Sequence, residues 1–252
     1  MKRLIIILSA FFWLMLAAQM TGAAEKTVTI ANMSWEPYYG QYLPNYGFVP
    51  EIIKEAYART GYTAEFSFMS WTKTLEDVRQ GKYDAAATAS FNEERDRIYW
   101  YSDSYIESPV VFYKRKNEKP MSWRNLEDLK PYRIGVVRSY VYSPEFDNAA
   151  FLQKRTSKNE LLNMKKLLLK QAELILIDKF VGQYIINKKL VASEKNVPEI
   201  IYPQLVSDKL HLIFSKNVPD ATEKRDAFNR GLREIVKDGI VKKILAAHGL
   251  GK

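Results

Sequence analysis

Residues Gly81–Tyr105 read GKYDAAATASFNEERDRIYWYSDSY, and the rest of the chain is organised around them. Gly81 ends a helical pattern. Tyr83–Ala87 is a small-residue run that predicts a short strand. Thr88-Ala89-Ser90-Phe91 carries hydroxyls off the end of that strand. Asn92 or Ser90 suits a helix cap, and Ser90 with Glu93 has the spacing of a capping box. Arg95 then falls in the first helical turn. A guanidinium close to free N–H groups offers several donors to one negative charge, so this stretch predicts a site for an anionic ligand group. No nucleophile stands beside a base here, which points to binding rather than catalysis.

The composition narrows the alternatives. The chain has 252 residues, enough for one large domain or two lobes with a substantial core. It has no cysteine, which excludes disulfides and thiolate metal sites. With only two histidines, His211 and His248, the chain argues against a histidine-based zinc site or a Ser-His-Asp triad. The net charge is +9, but the basic pairs are scattered and interleaved with acids. That pattern predicts solvated faces rather than a nucleic-acid surface. Met1-Lys2-Arg3, the apolar run Leu4–Ala18 and the small residues to Ala24 read as a cleaved leader over residues 1–24. The expectation is an exported, periplasmic protein, with no later segment apolar enough to span a bilayer.

Strands and helices then alternate. Lys26–Met33 alternates as a strand and runs into an aromatic loop, Ser34-Trp35-Glu36-Pro37-Tyr38-Tyr39-Gly40. Ligands of open α/β sheets sit beyond the carboxyl ends of strands, and Trp35 is placed there to stack on one. A helix starts at Phe48-Val49-Pro50-Glu51 and stops before Gly61. Glu65–Met69 is a strand, followed by a helix with Trp71, Leu75 and Val78 on one face. Pro109–Lys114 and Tyr132–Val137 read as strands, and Ser157 with Glu160 fits a second capping box. Ala172–Ile177 is a buried strand ending at Asp178, which also suits the cap of the next helix. Pro198–Val206 and Leu210–Phe214 lead back. Helices with Phe228, Leu232 and Ile235, and then Ile240–Leu245, close the chain, with His248 expected on the surface of the last helix end.

Several of these motifs belong together. G-K-x-D-A, then hydroxyl residues, then E-R, an aromatic and S-D-x-Y, with W-x-P-Y after the first strand, resemble bacterial extracellular solute-binding proteins of the polar amino-acid type. The resemblance covers nearly all of the chain after the leader. It implies a two-lobe α/β fold with two hinge crossovers and a ligand cleft. One lobe is residues 25–112 with 211–252, and the other is 113–210. It also implies a small-molecule ligand, an ABC permease as partner, a monomer, no cofactor and no metal.

The resemblance assigns roles residue by residue. Arg95 matches the clamp on the ligand carboxylate. Thr88 and Ser90 match positions that offer hydroxyl and backbone groups. Trp35 and Trp71 match ligand-contacting aromatics, and Asp178 matches the acid that meets the ligand's ammonium. The chain departs from the pattern in three places. Ser139-Tyr140 stands where a Gly-Ser/Thr pair is usual, so Tyr140 is expected to narrow the cleft or stack on the ligand. Asn32 replaces an acid three residues before Trp35. Lys170-Gln171 replaces Gly-Arg. The departures keep two other readings open: a binding protein of this fold for a different solute feeding a sensor, and a dehydratase-like enzyme using Glu36 or Glu173.

Overall fold

The computed structural model describes residues 26–116, 118, 121–138 and 140–250. The expected leader and Ser139 lie outside them. Among the described residues nine strands form one mixed sheet: β1 Lys26–Asn32, β2 Tyr62–Phe68, β3 Ala85–Ser90, β4 Tyr99–Tyr101, β5 Ile106–Arg115, β6 Arg133–Val137, β7 Gln153–Ser157, β8 Leu174–Asp178 and β9 Pro198–Ser215. The order is β2-β1-β3-β9-β5-β8-β6-β7, with β4 also paired to β9. Parallel pairs β1–β2 and β1–β3 make one half, and parallel pairs β6–β7 and β6–β8 make the other.

β5 and β9 join the two halves. They pair antiparallel from Ile106↔Leu210 to Arg115↔Pro198, with an irregularity between Val110 and Phe112. The two runs predicted at Pro198–Val206 and Leu210–Phe214 are thus one strand of 18 residues. Its distal part pairs with β3 and its proximal part with β5, so one strand serves both halves.

Eight α-helices cover the sheet among the described residues: α1 Phe48–Ala58, α2 Trp71–Arg79, α3 Glu93–Asp96, α4 Pro144–Asn148, α5 Glu160–Leu168, α6 Lys179–Lys188, α7 Ala221–Lys237 and α8 Ile240–Ala247. None is long and apolar enough to cross a membrane. β8 is buried at all five positions, as expected of a strand covered on both faces. α1 and α7 bury Ile53, Ala56, Phe228 and Leu232 in one core cluster. They approach so closely that a Cβ on Gly231 would lie 1.8 Å from the Ala56 carbonyl oxygen.

Local expectations changed where strand pairing took over a residue. β3 begins at Ala85 rather than Tyr83 and runs on to Ser90, which pairs with Leu210. Ser90 is therefore strand, and Asn92 caps α3 through a 3.1 Å bond from the Arg95 amide. Likewise Ser157 is buried in β7, and Asn159 caps α5 instead. Neither expected capping box forms. His248 is no free surface residue: its Nε2 lies 2.8 Å from Glu51 Oε2, tying the end of α8 to α1.

Candidate functional site

Asp178 ends β8 and caps α6, its Oδ1 accepting from the Val181 amide at 2.9 Å. Its Oδ2 accepts from Tyr38 Oη at 2.7 Å and Ser108 Oγ at 2.8 Å. Tyr38 comes from the loop after β1 and Ser108 from β5, so three distant segments meet on one carboxylate. Burial pushes the Asp178 carboxyl up to about 6, because desolvation disfavours its charge, while hydrogen bonds from the Val181 and Phe180 amides, Tyr38 and Ser108 pull the other way. The same burial, with Asp178 beside it, raises the Tyr38 phenol.

The aromatic loop is held by identifiable contacts. Trp35 and Tyr39 exchange backbone hydrogen bonds of 2.6 and 3.0 Å. The Trp35 indole stacks on the Tyr38 ring, with centroids 4.2 Å apart and planes 3° from parallel. Tyr38 is fully buried against Phe48 and Phe180. Trp35 keeps one face partly open.

That open face borders a cavity of about 140 Å³ beyond the carboxyl ends of β6 and β8, where a ligand site in such a sheet is expected. Trp35, Tyr140, Tyr142, Asp178, Glu160 and Asp208 contribute to its lining. Tyr140 donates its hydroxyl to Glu160. Burial and this acidic neighbour raise the Tyr140 phenol. The Val137 amide donates to Tyr142 Oη at 2.8 Å, and burial pushes that phenol up to about 12. Trp35, Tyr140, Glu160 and Val181 also border a second cavity of about 240 Å³, which reaches Glu36 and Lys189.

The other expected contacts form a separate group. Arg95 Nη1 is 3.3 Å from the Ser90 carbonyl, and its guanidinium lies 5.6 Å from the centre of the Trp71 ring. Among the described residues Arg95 makes no ion pair. Thr88 sits in a β3 irregularity with φ +55°. Its amide donates to Tyr105 Oη at 2.8 Å, its hydroxyl donates to the Ala87 carbonyl, and that hydroxyl also accepts from Asn32. Asn32 is fully buried and serves this turn. Trp35, Tyr140 and Asp178 thus share one cavity, whereas Trp71, Thr88, Ser90 and Arg95 do not line it.

Tyr38, Ser108, Glu160 and Asp208 join the site without having been singled out as ligand contacts. Tyr38 had a visible signal, its place in the aromatic loop. Asp208 had none, because only pairing with Ser108 brings β9 to the cavity. No cluster of three or more acidic or histidine side chains among the described residues is arranged to hold a metal.

A mixed sheet in two halves, two long strands running between them, and a cavity at the strand ends define a fold of the periplasmic-binding-protein type. The chain belongs to the bacterial extracellular solute-binding proteins, family 3, whose model matches residues 29–251. No curated protein matches the sequence. Among solved structures, the probable amino-acid ABC transporter extracellular-binding protein of Bacillus subtilis is 20% identical with a TM-score of 0.73, over 90% of this chain and 98% of that one. The unliganded, open L-cystine solute receptor of Neisseria gonorrhoeae is 19% identical with a TM-score of 0.69, over 88% and 92%. A histidine kinase sensor domain is 16% identical with a TM-score of 0.68, over 89% and 97%.

Proposed function

We propose that the protein is an exported solute receptor that captures a small polar ligand, an amino acid or a related compound, and delivers it to an ABC permease. The lobes are residues 25–112 with 211–252, and 113–210. They close on the ligand about the β5–β9 crossovers, and the closed form is favoured by the ligand's greater affinity for it. The receptor acts in the periplasm as a monomer, without its leader and without chemistry of its own. The observation that carries this reading is the cavity itself, where Trp35, Tyr140 and Asp178 converge at the strand ends. Arg95 lies off this cavity and is free of ion pairs among the described residues, which supports its reading as a carboxylate clamp in the closed form.

A thermal-shift screen against amino acids, amines, organic acids and sugars tests this. A specific ligand raises the melting temperature as its concentration rises. Absence of any saturable shift overturns the reading. Arg95→Ala then tests the clamp, since it should abolish binding of a carboxylate ligand.

A second reading keeps the receptor but replaces the permease with a sensor. The likeness to a histidine kinase sensor domain favours it. A dehydratase-like enzyme has less support, because Glu173 is held by Arg133 and Glu36 by Lys189.

A further inference from the structure

The excess of positive charge is unevenly placed. Residues 113–210 hold 19 lysines and arginines against 11 acids, whereas residues 25–112 with 211–252 hold 17 against 18. The excess is densest over residues 152–171, where Lys154, Arg155, Lys158, Lys165, Lys166 and Lys170 stand against one acid, Glu160. That acid is engaged by the Tyr140 hydroxyl. None of the six cations belongs to an ion pair among the described residues.

The fold gathers most of them on one edge. β7 is the outermost strand of the second half, and α5 lies beside it, with the Lys166 ammonium donating to the Thr156 carbonyl. Ser157 Oγ lies 3.4 Å from Asn163 Oδ1 of α5, so Arg155, two residues back, shares the α5 side of the strand. On α5 itself Leu162, Lys165, Lys166 and Leu169 recur at three- and four-residue intervals and share a face. Asn163, Met164 and Leu167 are buried on the sheet side. The two leucines of the outer face are bare, Leu162 43% and Leu169 67% exposed. Cations on an edge strand discourage pairing with another sheet, which accounts for Lys154 and Arg155. It does not account for exposed leucines on a lysine-bearing helix face. Apolar side chains set among cations suit anionic headgroups lying over hydrocarbon, where each kind meets its own layer. An acidic protein surface would meet the charges alone.

We propose that the β7–α5 edge is a docking surface for anionic phospholipid and holds the receptor against a bilayer. Asn159, Glu160 and Leu161, at the start of α5, line the second cavity, so docking brings that cavity close to the lipid. The proposal goes beyond the receptor reading and involves no ligand of the cleft.

The test is co-sedimentation of the protein, recovered after export, with large vesicles. One set is phosphatidylcholine alone, and the other contains about one-third phosphatidylglycerol. At low salt the anionic vesicles should bind at least about tenfold more tightly, and about 0.5 M salt should remove the difference. Reversing Arg155→Glu, Lys158→Glu and Lys165→Glu together should bring binding down to the level of the neutral vesicles. These three side chains are exposed and make no hydrogen bond among the described residues, so the melting temperature should hold. Arg230→Glu, Lys237→Glu and Lys242→Glu, exposed on α7 and α8, make the same change in net charge and should leave most of the binding. Leu169→Ser should weaken binding to anionic vesicles about fivefold through lost apolar contact. No preference for the anionic vesicles overturns the proposal. Equal losses in the two triple variants also overturn it, in favour of diffuse net charge. Polyglutamate is the probe for an acidic protein partner: its binding through Arg155, Lys158 and Lys165, with vesicles ignored or Leu169→Ser without effect on them, overturns the lipid assignment. Ligand capture, read separately by thermal shift, stands or falls independently of all these outcomes.

Discussion

Tyr38 Oη donates to Asp178 Oδ2 at 2.7 Å across 140 residues of sequence. The carboxylate at the cavity wall is therefore oriented by a phenol from the opposite half of the sheet. That phenol is itself held by stacking on Trp35 and by edge contact with Phe180. The bond makes one side chain both part of the cavity and a tie between the halves.

Tyr38→Phe leaves the ring packing and removes only this bond. A hydrogen bond to a charged group contributes about 1.5–3 kcal/mol. Chemical denaturation at pH 8, where Asp178 is ionised, should show a loss of that size. A midpoint equal to the wild type's would mean that the bond contributes nothing net.

The raised carboxyl of Asp178 sets a pH dependence with a definite sign. Its proton is held to about 6 in the folded protein and to the ordinary value of 3.8 in the unfolded chain. This group's contribution is complete below pH 3.8 and is lost as pH rises through about 6, a swing on the order of 3 kcal/mol. Carboxyls held low by basic neighbours, such as Glu173 beside Arg133, act oppositely. The difference curve against Asp178→Asn isolates the effect: wild type should lose ground to the variant between pH 4 and 6 and run parallel to it above pH 7. A flat difference curve contradicts the assignment.

Gly231→Ala places a methyl group 1.8 Å from the Ala56 carbonyl oxygen. Backbone cannot yield as a side-chain tip can, so α1 and α7 must separate. Overpacking of this kind costs about 1–3 kcal/mol. A thermal melt should show the loss, and an unchanged melting temperature would mean that the helices shift freely.

Asp84 accepts from the Thr29 amide at 2.7 Å and from Thr29 Oγ1 at 2.9 Å, and it pairs with Lys224 at 2.5 Å. Asp84→Ala leaves the Thr29 amide without this acceptor and takes from the Lys224 ammonium one of its two carboxylates, the other being Asp220 at 2.7 Å. A loss of about 1–3 kcal/mol is expected in denaturation, as for buried hydrogen-bonding groups left without a partner. Ligand affinity of the folded fraction should be unaltered, and a loss of affinity would place Asp84 in the site.

Local pattern carried much of the fold. The apolar run at Ala172–Ile177 and the alternation at Lys26–Met33 mark real strands, and Gly81 and Gly249 both take positive φ just after helices. Long-range pairing could not be read the same way. Ser90 and Ser157 carry the letters of caps, but each is claimed by a strand partner, Leu210 and Val137, and the asparagine two residues on caps instead. The site divides similarly. Trp35 and Asp178 announce themselves by lying at strand ends. The acidic character of their cavity depends on Asp208 standing opposite Ser108, a neighbour relation that no motif encodes.

β9 has a further consequence for how the chain assembles as it emerges. In the first half of the sheet, β3 has β1 on one side and β9 on the other, and β9 begins only at Pro198. α7, which covers the α1 side of that half, comes later still. The amino-terminal portion can therefore not complete its own sheet when it is made. It must stay open-edged until the last fifth of the chain arrives, a high-contact-order closure that folds slowly. Such a chain stays unpaired along that edge for longer than one whose first domain snaps shut.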